Sequence, residues 1–401
     1  MPTYNFPKDF LWGTATSAHQ IEGNNRNSDW WEWEQSKNYA LQDRQYPLEP
    51  SGPACDSYNR YKEDFDLCVK LSNNAVRISI EWARIEPVEG KFNQDEIDHY
   101  RKVLHAAKAR NLKTFVTLHH FTNPIWFSKK GGWTNRKAPK MFEKYAKKIS
   151  VELGDLIDFF VTINEPQVYA LQSYTLGIWP PNKINPFSAL SVQIIMAKSH
   201  KAAYDSIKSV DSEYKVGIVK NIVWYENAKH KLHPFDWLWR KFLYWLNGDF
   251  FLKMLFSKND FIGLNYYFTN RVKHLRLRNP NDWVSDLGWW INPKGLRYVL
   301  QNLKKYNIPI YITENGLADY EDKHREKFLR EMLVECAKSI EKGVQLKGYF
   351  HWSLLDNYEW HHGYWPRFGL VEIDREDGLK RKPRESFYYY AKICKENKVT
   401  T

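Results

Sequence analysis

A chain of 401 residues, 43% hydrophobic and 26% charged, has enough apolar side chains for a large core and is neither disordered nor fibrous in composition. No run approaches the roughly 18 uninterrupted apolar residues of a spanning helix, and residues 1–10 lack the charged-then-apolar layout of a secretory signal, so a cytoplasmic protein without a membrane partner is expected. The formal net charge of +12 is dispersed apart from short basic stretches such as 273–278 and 381–384, which argues against a nucleic-acid groove.

From the N-terminus, short runs rich in β-branched and aromatic residues fall at 10–15, 75–80, 113–118, 159–163, 215–222, 261–264, 310–313 and 347–352. Helical periodicity fills the gaps. After the second run, Ile97, Tyr100, Val103, Leu104 and Ala107 share one helical face, opened by Asn93 with Glu96 three positions on as a capping box. Before the seventh, Asn292-Pro293 opens a helix whose Leu296, Val299, Leu300 and Leu303 face one way until Asn307-Ile308-Pro309 stops it. Eight strands alternating with helices, without a linker or a composition shift, predict a single α/β domain over 1–401, a (β/α)8 barrel. A doubly wound open sheet has the same alternation, so the placement of motifs must decide between them.

Four cysteines, Cys55, Cys68, Cys336 and Cys394, lie far apart without a C-x-x-C pair, which points to reduced, buried thiols. No H-E-x-x-H, G-x-G-x-x-G or Walker-type phosphate loop occurs, so no metal and no cofactor is expected. The adjacent His119 and His120 project to opposite sides of a strand and are badly placed to share an ion. The unusual quantity is aromatic: 18 Trp and 25 Tyr. Most such rings fill cores, although a flat indole also suits the apolar face of a pyranose.

In a barrel the chemistry collects at the C-terminal strand ends. Here those ends carry Gln20, Arg77, His119-His120, Asn164-Glu165, Asn265-Tyr266-Tyr267, Glu314 and Trp352, from seven of the eight strands. Glu165 and Glu314 each follow an apolar strand, where a carboxylate is costly unless paired or used. One such Glu is as readily a helix start or a rim ion pair. Two facing glutamates across a barrel mouth are what glycoside hydrolysis requires.

The segments Thr162-Ile163-Asn164-Glu165-Pro166, Ile312-Thr313-Glu314-Asn315-Gly316 and 352–360, in order on this pattern, resemble glycoside hydrolase family 1, and the likeness runs nearly end to end. The resemblance implies a retaining β-glycosidase acting on terminal β-glucosides or β-galactosides, with Glu314 as nucleophile and Glu165 as acid/base. It implies Arg77, Tyr267 and Asn265 in the catalytic neighbourhood, with Arg77 and Tyr267 holding Glu314 ionised. It assigns Gln20, His120, Asn164, Glu359 and Trp360 to sugar hydroxyls, with Trp352 as the platform. Each of these has a bland alternative in packing, capping or ion pairing. The chain is short for that family around 221–260 and after Tyr267, which leaves the aglycone side and oligomeric contacts open, and Phe121 stands where many relatives carry Trp. A 6-phospho-β-glycosidase and a catalytically silent sugar-binding protein are the alternatives. The negative charge expected on Glu359 argues against the phosphorylated substrate.

Overall fold

The computed structural model describes residues 2–36, 49–227, 234–255, 257–279 and 283–401. All eight expected strands form, each within two residues of its expected bounds: β1 (Leu11–Ala15), β2 (Ala75–Ser79), β3 (Lys113–His119), β4 (Phe159–Asn164), β5 (Lys215–Asn221), β6 (Phe261–Asn265), β7 (Ile310–Asn315) and β8 (Leu346–Trp352). They pair in parallel in chain order, and β8 returns to β1 with Gly348 opposite Leu11 and Trp352 opposite Ala15. That closure excludes the open sheet.

The barrel is filled, not hollow. Each strand contributes to one inner cluster, through Ala15, Ala75, Phe115, Val161, Val219, Phe261, Tyr311 and Phe350. Four rings from the first residues of their strands plug the N-terminal end: Phe115 lies 4.1 Å from Phe159, 5.1 Å from Tyr311 and 5.9 Å from Phe261 between centroids. Each ring withdrawn from water contributes about 1.5–3 kcal/mol. Gly13 on β1 makes room, since a Cβ there would stand 2.5 Å from the Phe350 ring. With the floor sealed, the only place for polar inward residues is the opposite end.

Outside the strands lie α1 (Gln94–Lys108), α2 (Pro166–Ala170), α3 (Pro186–Val210), α4 (Pro234–Tyr244) and α5 (Pro293–Leu303), among other helices. The Asn93 side chain caps α1, accepting from the amides of Asp95 and Glu96 at 3.0 and 3.4 Å. The reciprocal half of the expected capping box is absent. Asn93 N–H donates to the Ile85 carbonyl at 2.8 Å, and the Glu96 carboxylate takes the Tyr58 hydroxyl at 3.1 Å instead. In α5 the four expected leucine and valine side chains are buried, and Asn307 ends the following turn at φ 51°. Among the described residues no helix is long and apolar enough to cross a membrane.

Candidate active site

On β7, Tyr311 and Thr313 face inward at a spacing of two, and strict alternation would turn Glu314 outward. A register irregularity between Ile312 and Glu314 against β6 re-aims it into the mouth. There its carboxylate is 3% exposed and fully occupied: Arg77 Nη1 donates to Oε1, and the Tyr267 hydroxyl to Oε2 at 2.6 Å. Arg77 reaches it because Ala75 and Arg77 share the inner face of β2. Its remaining donors are anchored by the Thr117 hydroxyl at 3.2 Å and Asn164 Oδ1 at 2.7 Å, so the buried guanidinium is paired and rigid. The structural ion-pair reading of Arg77 and the site reading thus coincide, because its partner is Glu314 itself.

Glu165 follows β4, where the pairing with β5 also shifts register, between Val161 and Asn164. Its backbone is left-handed, φ 43° and ψ 57°, a conformation costing a non-glycine residue about 1–2 kcal/mol. Three bonds hold it there: its N–H donates to the Val219 carbonyl at 2.9 Å, and its carbonyl accepts from Val168 and Tyr169 at 2.9 and 3.1 Å. Strain of that kind persists only where neighbours over-determine it. The carboxyl accepts from Asn265 Nδ2 at 2.6 Å and from the Asn221 side chain. Burial, and then the charge of Glu314, push Glu165 up to about 8 against the pull of Asn265, Arg77 and Asn221. One carboxyl is therefore protonated at neutral pH while its neighbour lies on a guanidinium and a phenol.

Around this pair stand the residues expected to meet the sugar. Asn164 accepts from Arg77 and presents Nδ2 to His120 Nε2 at 3.2 Å. Burial pushes His120 well below its ordinary value, so the ring is neutral; with Nε2 accepting, its proton sits on Nδ1, a buried atom with no partner among the described residues. Trp352 ends β8 within the inner cluster, and His120 lies nearly parallel to it and to Trp360, both at 6.1 Å. Trp360 is 4% exposed, stacks on His19 at 5.9 Å and packs against Trp30 and Phe121, so most of this ring is core. His19 is itself fixed by Glu34 at 2.9 Å and Asn25 at 3.1 Å. His119 turns the other way, to Asn123 and Trp133, as the strand alternation requires. Among the described residues no group of three or more His, Cys, Asp or Glu is arranged to hold a metal ion.

The structure adds to one expectation and revises another. Gln20 is committed to the loop after β8, donating to the Tyr358 carbonyl at 2.8 Å, to Asn357 Oδ1 at 3.1 Å and to Glu359 Oε2 at 3.5 Å, while its own Oε1 takes the Ser17 hydroxyl at 2.6 Å. It holds Glu359 in place as much as it offers itself. Glu359 does not carry the fixed negative charge assumed for it: burial and the carboxylates of Glu314 and Glu165 push it to about 8. Below that pH it is an acid that donates as well as accepts, and charge repulsion alone does not exclude a phosphate.

The one strand without an expected site residue, β5, also reaches the site. Asn221, at the end of β5, touches Glu165, and the buried Lys220 beside it donates to the Asn221 carbonyl at 2.6 Å and is pushed down to about 7 by burial. Both were hidden within an apolar run. Thr117 escaped notice as well, and Thr313 was named in its motif but given no role, although each lies two residues beyond an inner-cluster ring, Phe115 and Tyr311, and the period of two points to both. Thr313 fixes the Asn265 amide by donating to its Oδ1 at 2.8 Å.

The family model described as "Glycosyl hydrolase family 1" matches residues 3–256 and 249–399. Beta-glucosidase A of Thermotoga maritima is 31% identical over 99% of each chain, and a beta-galactosidase of Pyrococcus woesei is 29% identical over 98% of each. Among solved structures, the beta-glycosidase from Pyrococcus horikoshii superposes with a TM-score of 0.92 at 38% identity, covering 100% of this chain and 97% of that one. The Thermotoga maritima beta-glucosidase in complex with glucoimidazole superposes at 0.90 with 31% identity, covering 98% and 99%. The barrel, the two glutamates at its mouth and these matches along the whole length agree: this chain belongs to glycosyl hydrolase family 1 and is a glycoside hydrolase.

Proposed function

We propose that the chain is a retaining, exo-acting β-glycosidase that removes a terminal glucose or galactose, working as one catalytic domain over residues 1–401. The observation that carries this is the asymmetry of the glutamate pair. Asn265 stands opposite Glu314 in the β6–β7 ladder and donates to Glu165, so both carboxyls share one pocket, yet among the described residues Glu314 is the one in direct contact with a cation, Arg77. The anionic Glu314 attacks the anomeric carbon as the bond to the leaving oxygen breaks, and Glu165 delivers its proton to that oxygen. Glu165, now a carboxylate, takes a proton from water, whose oxygen displaces Glu314 and restores the β configuration. Asn164 is positioned for the 2-hydroxyl, a contact that tightens in the transition state and so adds to rate.

A neutral hexose is favoured over its 6-phosphate because the Glu359 carboxyl can donate to and accept from a hydroxyl, whereas the nearby guanidinium of Arg77 is already committed to Glu314 and is not free for a phosphate. The names of the Thermotoga and Pyrococcus relatives support both sugars. Four free, buried cysteines support a reducing, cytoplasmic setting. The test is a panel of nitrophenyl glycosides with an NMR time course. Release from the β-glucoside or β-galactoside with the β-anomer appearing first is expected. Initial α-anomer would refute retention, faster turnover of the 6-phosphate would refute the neutral substrate, and binding without release would mark a silent lectin-like protein.

A further inference from the structure

The helix α4 presents an apolar face to solvent rather than to the core. Phe235, Leu238, Trp239 and Phe242 on that face are all exposed, Phe235 by 64% and Leu238 by 55%, and Trp237 is exposed on another side of the helix. Trp245 and Leu246 continue the face past the helix end. The rings pack on one another along the surface, Trp239 on Phe242 at 5.4 Å and Phe242 near Trp245 at 6.0 Å. A patch this contiguous marks an interaction surface.

Against the start of α4 sits an antiparallel hairpin of strands Thr269–Lys273 and Arg276–Leu277, held because the Asp236 carboxylate accepts from the amides of His274 and Leu275 at 3.0 and 2.8 Å. Its tip exposes Leu275 and Leu277, 52% and 50% accessible, between the exposed cations Lys273, Arg276 and Arg278. This is the basic stretch 273–278 noted in the sequence, and the catalytic geometry makes no use of it. On α4 itself, Lys241 Nζ lies 3.7 Å from the Trp237 ring centroid, and Arg240 lies over Trp224. Exposed tryptophan and leucine flanked by arginine and lysine is the composition of an element that lies in a bilayer interface.

The position of the face matters. Gln167, on α2 and two residues after Glu165, donates from Nε2 to the carbonyls of Leu246 and Asn247, both at 3.2 Å, so the patch adjoins the rim of the active-site mouth. We propose that α4 and the 269–277 hairpin form a docking surface for an anionic lipid bilayer, with the rings at headgroup depth and the cations on lipid phosphates. A second copy of the chain is the poorer occupant, because a self-complementary contact would set these cations against their own equivalents. The expectation of no membrane partner considered spanning segments, and peripheral docking needs none.

The test is sedimentation of the full chain with vesicles of phosphatidylcholine alone or mixed with phosphatidylglycerol. Salt-sensitive binding to the mixed vesicles is expected. Arg276→Gln with Arg278→Gln should weaken it by about 25-fold, roughly fivefold per charge, and Trp239→Ser or Leu275→Ser with Leu277→Ser by about tenfold or more. All three variants should retain hydrolysis of a soluble nitrophenyl glycoside, which also reports that they fold. Failure of the wild type to sediment with anionic vesicles at low salt overturns the proposal. So does binding indifferent to the apolar substitutions, which would be charge adsorption alone, and so does a dimer in light scattering that Trp239→Ser dissociates while vesicle binding is absent.

Discussion

The Tyr267 hydroxyl donates to Glu314 Oε2 at 2.6 Å, on the carboxylate whose other oxygen is held by Arg77. The phenol therefore fixes the direction of the attacking lone pair, and its ring is steadied independently by Trp289 and Phe368 at 5.6 and 6.1 Å. Tyr267→Phe removes only the hydroxyl. A hydrogen bond to a charged group contributes about 1.5–3 kcal/mol, so kcat/KM for a nitrophenyl glycoside should fall roughly 10- to 100-fold with the melting temperature little changed. An unchanged rate would mean that Tyr267 merely packs.

The two glutamates should respond differently to the leaving group. Glu314→Gln removes the nucleophile and should abolish most activity on every substrate. Glu165→Gln removes proton delivery, an effect of about 10²–10⁴-fold, and should be mildest for nitrophenol, which departs without much help, and severe for an alkyl or sugar aglycone. Equal losses across that series would remove Glu165 from the acid role.

How much of this was readable without coordinates depends on the kind of signal. The eight strands were legible because barrel strands are short apolar runs with sharp ends, and Asn93 and Asn307 mark helix ends through local backbone chemistry. Glu165 and Glu314 were legible because a carboxylate directly after an apolar run is anomalous. What stayed hidden is long-range. The two register shifts that turn Glu165 and Glu314 into the mouth leave no mark on composition, and Asn221 gained its role only when β5 came beside β4. The protonation of Glu359 follows from its burial and then from the carboxyls of Glu314 and Glu165 converging on it from β7 and β4, which no local pattern records. The exposure of α4 was equally invisible, since its apolar spacing reads as an ordinary core face.

The pH profile follows from Glu165. Its active form is protonated, so kcat/KM should decline as pH rises through about 8. Asn265 donates to that carboxyl and favours its charged form, hence Asn265→Ala should move the basic limb upward, by about one unit if the bond is worth about 1.4 kcal/mol. Stability moves the same way. Between the ordinary 4.5 and about 8 the folded chain keeps a proton that the unfolded chain has released, so folding weakens as pH rises through that window. Glu165→Gln has no proton to lose, and its melting temperature should exceed that of the wild type at pH 9 by more than at pH 5. A pH-independent difference would place the titration elsewhere.

Gly316, two residues beyond Glu314, links the end of β7 to Trp352 at the end of β8. A Cβ at this position would lie 1.8 Å from the Trp352 carbonyl oxygen, a backbone atom that no rotamer change can move aside. Gly316→Ala must therefore displace either the end of β8, and with it Trp352, or the end of β7, and with it Glu314. Overpacking of a buried site costs about 1–3 kcal/mol, and this contact, backbone on both sides, belongs at the upper end or beyond. The expected result is a lower melting temperature together with a loss of kcat larger than that of Tyr267→Phe, because the damage falls on the geometry of attack rather than on one donor. Gly378→Ala is the control. It has a positive φ, 58°, which Gly316 lacks, and a Cβ there meets nothing within 4 Å, so it should cost stability modestly and leave kcat untouched. Similar kinetic losses in both variants would show that a general loss of stability, and not the approach of Trp352, lowers kcat.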